Sequence, residues 1–153
     1  MSFDQSIERI GFACKYMHPD QTQKPKILKE IQSKYTEAMT TVAWLKRQPR
    51  EVAEQKMWDI MQHNIQSVYN LIEYVGGLPD GLRMVRLGSN QLPMYTEPTF
   101  SYFWKRPDVR QVCETGFSKA GDLARSLDVR LSMHPGQFVV LASDREDVVE
   151  RSI

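Results

Sequence analysis

The chain has 153 residues, 41% hydrophobic and 25% charged, with a formal net charge of +1. This is an ordinary globular composition, and the near-neutral balance excludes a general attraction to polyanions, so any nucleic-acid surface must be local. No apolar run approaches the ~20 residues that a bilayer-spanning helix needs, and the opening MSFDQSIERIGF has no apolar signal core. A soluble, cytoplasmic protein is the expectation, with no membrane partner. Cys14 and Cys113 lie far apart and match no metal-binding spacing, which predicts two free thiols in a reducing compartment.

In chain order, the apolar run 10–14 predicts a short buried strand. Residues 18–50 read as an insert. His18 to Pro25 is polar and turn-like, and 26–46 predicts a helix with Ile27, Ile31, Tyr35, Met39 and Val42 at helical steps. A long helix follows over 51–75, where Trp58, Met61, Ile65, Val68, Ile72 and Val75 form one apolar stripe. Gly76-Gly77 and Pro79 end it, glycine by accepting a left-handed turn and proline by blocking continuation. Residues 84–87 predict a second buried strand. A helix starts at Pro107-Asp108, proline being suited to a first turn, and runs to about Leu127. Residues 129–133 predict a third buried strand, and a last helix begins near Arg145 with Val148 and Val149 on one face.

Strands alternating with helices predict a parallel sheet with right-handed crossovers, hence a (β/α) barrel or a doubly wound sheet. A complete barrel takes about 250 residues. About three strand–helix units are visible here, so 1–153 reads as the N-terminal part of such a domain, stopping inside a helical pattern.

In α/β folds the working residues gather beyond the C-terminal ends of the strands. The third strand is followed by the richest cluster, RLSMHPGQF over 130–138. His134 ends the strand, and Pro135-Gly136 turns the chain so that Gln137 and Phe138 are presented on a loop. A neutral imidazole at such a place suits a divalent metal, whereas a lone histidine after a strand is more often a hydrogen-bonded structural residue. The second strand leads into RLGSNQLPMYTEP over 86–98, where Asn90 and Gln91 can offer amides at a rim. Glu97 there is either a solvated loop acid or a metal-binding carboxylate. The first strand ends in GFACKY, offering Phe12, Lys15 and Tyr16. His18 and His63 read as structural or exposed. Lys24, Lys26, Lys29, Lys34 and Lys46 read as a solvated face before a phosphate-binding one.

Taken together, RLSMHPGQFVVL with the later VVERSI, RLGSNQLPMYTEP and IGFACKY resemble, in order and spacing, the motifs of the UV-damage endonuclease family. The resemblance implies a TIM-type barrel whose divalent ions, manganese above magnesium or zinc, serve to nick damaged double-stranded DNA on the 5′ side of a lesion. It implies His134 as a metal ligand and Gln137 and Phe138 as residues that probe the damaged duplex. Phe12 falls where the family usually has a probing Tyr, and keeps a stacking face without the hydroxyl. Tyr16 falls at another probing position, where the family often has Asn. Glu97 stands where the family usually has a metal-binding His, and a carboxylate remains a competent ligand for manganese. Asn90, Gln91 and Lys15 stay candidates for rim contacts on their positions after the strands, and no residue stands out as the catalytic group. Two ligands cannot fix a catalytic cluster, so this chain alone is expected to be weak or inactive. Two other readings stay open. One is a related metal-dependent barrel enzyme, an abasic-site endonuclease or a sugar isomerase. The other is a non-catalytic fragment that binds DNA or a complementary C-terminal chain.

Overall fold

The computed structural model describes residues 8–13, 15–135 and 142–150. Its elements in chain order are β1 (Phe12–Ala13), α1 (Pro25–Ser33), α2 (Val42–Leu45), α3 (Arg50–Gly76), a 3-10 turn (Asp80–Leu82), β2 (Met84–Gly88), α4 (Ser101–Trp104), α5 (Pro107–Ser126), β3 (Arg130–His134) and α6 (Glu146–Glu150). The three strands form one parallel sheet in the order β1-β2-β3, as the alternation predicts.

The long helices pack behind this sheet because both carry apolar residues at three- and four-residue steps. Val68, Leu71, Ile72 and Val75 of α3 and Ala120 and Ala124 of α5 close a core with Val85 and Leu87 of β2. Two glycines let elements approach unusually near. A β-carbon on Gly116 of α5 would stand 2.5 Å from the Ile65 side chain of α3, and one on Gly11 would stand 2.1 Å from the Met84 carbonyl oxygen. A second core lies under the loop that leaves β2. There Leu45, Met57, Met61, Phe100, Phe103, Trp104 and Val109 are buried together. Its rim is fastened by Glu54, which accepts from Arg50 at 2.7 Å, Arg106 at 2.6 Å and the Tyr102 hydroxyl at 3.0 Å. The hydrogen bond from Arg50 holds the Glu54 carboxyl below its ordinary range.

Four expectations are corrected. The helix foreseen over 26–46 is two helices, α1 and α2, separated by an irregular segment at 34–41. The Thr36 hydroxyl donates to the Gln32 carbonyl at 2.8 Å, and Thr41 caps α2 by accepting from the Trp44 N–H at 3.2 Å. Hydroxyls that bond nearby backbone in this way favour helix ends over helix interiors. Gly77 closes α3 at φ −79° and not in a left-handed turn. Gly76 is required for contact, since Leu127 would stand 2.4 Å from its β-carbon. The first strand shrinks to two residues and leaves Ile10 exposed, although the Ile10 N–H donates to the Gly81 carbonyl at 2.8 Å. β3 is not buried either. Leu131 and Met133 fall on the side of Val85 and Leu87 by strand register, yet Met133 is 57% exposed, because no described helix covers that end of the sheet.

Candidate functional site

The two faces of the sheet differ in kind because strand side chains alternate. Val85 and Leu87 face the helices. Arg86, Gly88, Ser132 and His134 belong to the alternate positions, with Arg86 paired to Ser132 and Gly88 to His134. His134 is exposed at the C-terminal end of β3, the place where parallel sheets carry their chemistry. The Ser132 hydroxyl is buried without a hydrogen-bond partner among the described residues. The other two histidines are occupied: His63 Nε2 lies 2.9 Å from the Thr36 carbonyl oxygen, and His18 Nδ1 bonds the Asp20 backbone.

The loop after β2 is organised from α3. Asn64 is 0% exposed; its Oδ1 accepts from the Ala38 N–H at 2.7 Å, while its Nδ2 is shared among the carbonyls of Ala38, Asn90 and Gln91 at 3.0–3.3 Å. One side chain therefore ties segment 34–41 and the β2 loop to the same helix turn. Trp104 adds a second tie, its indole N–H donating to the Pro93 carbonyl at 2.9 Å. Within the loop Met94 sits at φ 64°, a conformation that non-glycine residues adopt at a cost.

Against this frame the candidate residues separate. Asn90 and Lys15 are exposed, as a rim contact requires. Gln91 is not at the surface: it is 9% exposed and donates through Nε2 to a Glu37 carboxylate oxygen at 2.5 Å. The expected rim contact is corrected, because the loop turns this amide inward against segment 34–41. Tyr16, expected to probe DNA, is corrected to a packing residue. It is 5% exposed, its ring centroid lying 4.3 Å from that of Tyr35 and 5.0 Å from that of Tyr74. This burial raises the pKa of its phenol. Phe12 is half-buried against the same core. Glu97 turns its carboxylate back on its own loop, accepting from the Phe100 N–H and the Thr99 hydroxyl at 3.1 Å each. That is a cap on the turn entering α4. Gln137 and Phe138 lie outside the described residues. Among the described residues no group of three or more His, Cys, Asp or Glu is placed to hold a metal ion, and no helix is long and apolar enough to cross a membrane.

Sequence reasoning missed Glu37. Read as part of a continuous helix it is one more solvated acid, but the break at 34–41 brings it beside the end of β2. Its carboxylate takes hydrogen bonds from the Asn90 N–H and the Gln91 amide, and burial still pushes its pKa up. The clustered threonines Thr36, Thr40 and Thr41 were the available signal, since β-branched hydroxyl residues weaken a helix interior.

A parallel strand–helix sheet with polar groups at its C-terminal strand ends defines a chain of α/β architecture. The UV-endonuclease UvdE family matches residues 8–153. The chain belongs to that family. It is 25% identical over 115 residues to a UV DNA damage endonuclease of Bacillus mycoides, covering 75% of this chain and 34% of the relative. It is 36% identical over 73 residues to a UV-damage endonuclease of Neurospora crassa, covering 48% of this chain and 10% of the relative. A crystal structure titled SacUVDE superposes with a TM-score of 0.65 at 23% identity, covering 94% of this chain and 40% of that one. The chain thus spans about a third or less of these curated relatives and two-fifths of the solved structure.

Proposed function

We propose that this chain contributes the opening strand–helix units of a TIM-type barrel that nicks damaged DNA 5′ to the lesion by divalent-metal-assisted hydrolysis, with manganese as the favoured ion. The observation that carries the reading is the position of His134, exposed at the C-terminal end of β3 opposite Gly88, in a chain matched by the family from residue 8 to residue 153. The local donor set suits such an ion. It comprises the accessible imidazole of His134 and, beside the end of the neighbouring strand, a half-buried carboxylate at Glu37 and the Gln91 amide oxygen, which has no partner among the described residues. Nitrogen and oxygen donors without thiolate favour manganese or magnesium over softer metals.

His134 would present a ring nitrogen to the cation from the strand end. The chemistry that a clustered cation supplies is activation of water at neutral pH and neutralisation of charge on the phosphate. Gln137 and Phe138, which follow His134 in the sequence, would enter the duplex and stack against exposed bases, and Phe12 adds a second aromatic face from β1. Glu97 holds the β2 loop in shape through its cap on Phe100, which leaves its carboxylate less available as a ligand.

The test is binding and cutting of an end-labelled, UV-irradiated duplex in Mn²⁺. Irradiated duplex is expected to bind about tenfold more tightly than unirradiated duplex, the worth of roughly one base–aromatic stack. Phe138→Ala should erase most of that preference, and any cutting should map 5′ of the photoproduct. Equal affinity for the two duplexes, or cutting on the 3′ side, would contradict the reading.

A further inference from the structure

We propose that the lysine-rich surface of segment 15–50, centred on Lys24, Lys26 and Lys29 of α1 and its cap, is a docking face for the phosphate backbone of duplex DNA. The inference rests on the reading of the chain as part of a DNA-nicking enzyme, and it names a surface that holds the duplex without touching its bases.

Charge is spread very unevenly along this chain. Residues 15–50 carry eight Lys and Arg against three Asp and Glu, a net +5, so the other residues together hold −4 in a chain of +1. Lys15, Lys24, Lys26, Lys29, Lys34 and Lys46 are all exposed, and none forms an ion pair among the described residues. The acids of the segment do little to neutralise them. Asp20 is held by its own turn, accepting from the Thr22 N–H at 2.9 Å and the Gln23 amide at 2.8 Å. Glu37 turns inward to Gln91. Glu30 is the single acid in the sequence of α1.

The placement of these lysines runs against what the helix alone favours. A helix N-terminus carries partial positive charge from its unpaired N–H groups and is stabilised by acids nearby. α1 instead opens Lys24-Pro25-Lys26, with no side-chain cap from Lys24 and no acid in the first turn. No residue of α1 is fully buried, so packing does not demand the arrangement. Charges set against a local rule are expected where a surface serves a partner, and an anion drawn to this end offsets the repulsion. Lys29 follows Lys26 by three residues and so shares its side of the helix. The face is also held in place: Ile31 packs on the main core, and the Asn70 amide donates to the Lys34 carbonyl at 3.0 Å. Ammonium groups act on phosphate as point charges, without the planar fork by which arginine makes paired, directional contacts. Phosphate contacts fix the orientation of a duplex and carry no sequence information, as an enzyme that meets lesions in any sequence requires. The acidic remainder of the chain steers this side, and not the other, toward a polyanion.

The experiment is a fluorescence-anisotropy titration of a labelled, unirradiated duplex with the whole chain across a KCl series, repeated with UV-irradiated duplex. One variant combines Lys24→Gln, Lys26→Gln and Lys29→Gln. A control removes the same charge elsewhere through Lys56→Gln, Lys105→Gln and Lys119→Gln. All six lysines are exposed and outside ion pairs among the described residues, so neither set puts the fold at risk. Each phosphate contact adds about 0.9 to the slope of log affinity against log salt. The α1 variant should lose about 2–3 from that slope and bind about tenfold or more weakly at low salt, with the control unchanged. Its preference for irradiated duplex should survive, since phosphate contacts do not sense a lesion. An unchanged slope in the α1 variant, or an equal loss in the control, would overturn the docking face, and a preference for irradiated duplex would then leave the DNA-nicking reading standing. Binding of neither duplex by the unaltered chain would overturn both. Binding to phosphatidylserine vesicles in place of duplex, lost in the α1 variant, would assign the face to a membrane and overturn the proposal as well.

Discussion

Phe103→Ala is expected to destabilise the chain by about 3–5 kcal/mol, the usual cost of deleting a fully buried phenylalanine. Phe103 is 0% exposed and meets Trp104 edge-on, with centroids 5.1 Å apart and planes at 87°. Arg106 lies over the same ring, its guanidinium carbon 5.6 Å from the centroid. The ring belongs to the core on which Leu92 and Met94 of the β2 loop rest. Its loss therefore leaves a cavity and loosens the loop that carries Glu97 and Gln91. Domains of this size are stable by about 5–15 kcal/mol, so the variant should be partly unfolded or close to it. Urea unfolding measures this directly, and a loss below about 1 kcal/mol would show that the second core is not packed as described.

Asn64→Ala is expected to cost about 3 kcal/mol, because truncation strands several buried backbone groups at once and each unsatisfied group costs roughly 1–3 kcal/mol. The groups are the N–H and carbonyl of Ala38 and the carbonyls of Asn90 and Gln91. The effect should also be local. With the tie cut, the Ala38 amide should exchange with solvent much faster, whereas amides in the middle of α5 should slow or speed only with global stability. Unchanged exchange at Ala38 would mean that segment 34–41 is held by something other than Asn64.

The parts of this molecule that a reader can see in the sequence are those set by apolar period. The stripe from Trp58 to Val75 gives α3 almost to the residue, and Pro107 marks the start of α5. The parallel sheet follows from the alternation of strands and helices, and His134 falls at the end of β3 because Pro135 cannot continue the ladder. Long-range polar contacts leave no such trace. Asn64 occupies a core-facing turn of α3, yet nothing local says that its amide spans two loops. Gln91 reads as an exposed loop amide until the break at 34–41 puts Glu37 against it. Tyr16 reads as a rim residue until Tyr35 and Tyr74 close on it. Glu97 reads as a solvated acid or a metal ligand, although a Glu three residues before a buried aromatic N–H is also a turn cap. In each case the deciding partner is remote in sequence or is a backbone group, and side-chain type alone does not distinguish the outcomes.

The proposed function depends on His134 holding a cation at the C-terminal end of β3. The most direct measurement follows the imidazole resonances of His18, His63 and His134 by nuclear magnetic resonance while Mn²⁺ is added. His134 should broaden first and at the lowest Mn²⁺, since its ring is exposed whereas those of His18 and His63 are engaged by backbone. Broadening of His18 or His63 ahead of His134, or none at His134 at all, would contradict a metal site on this strand.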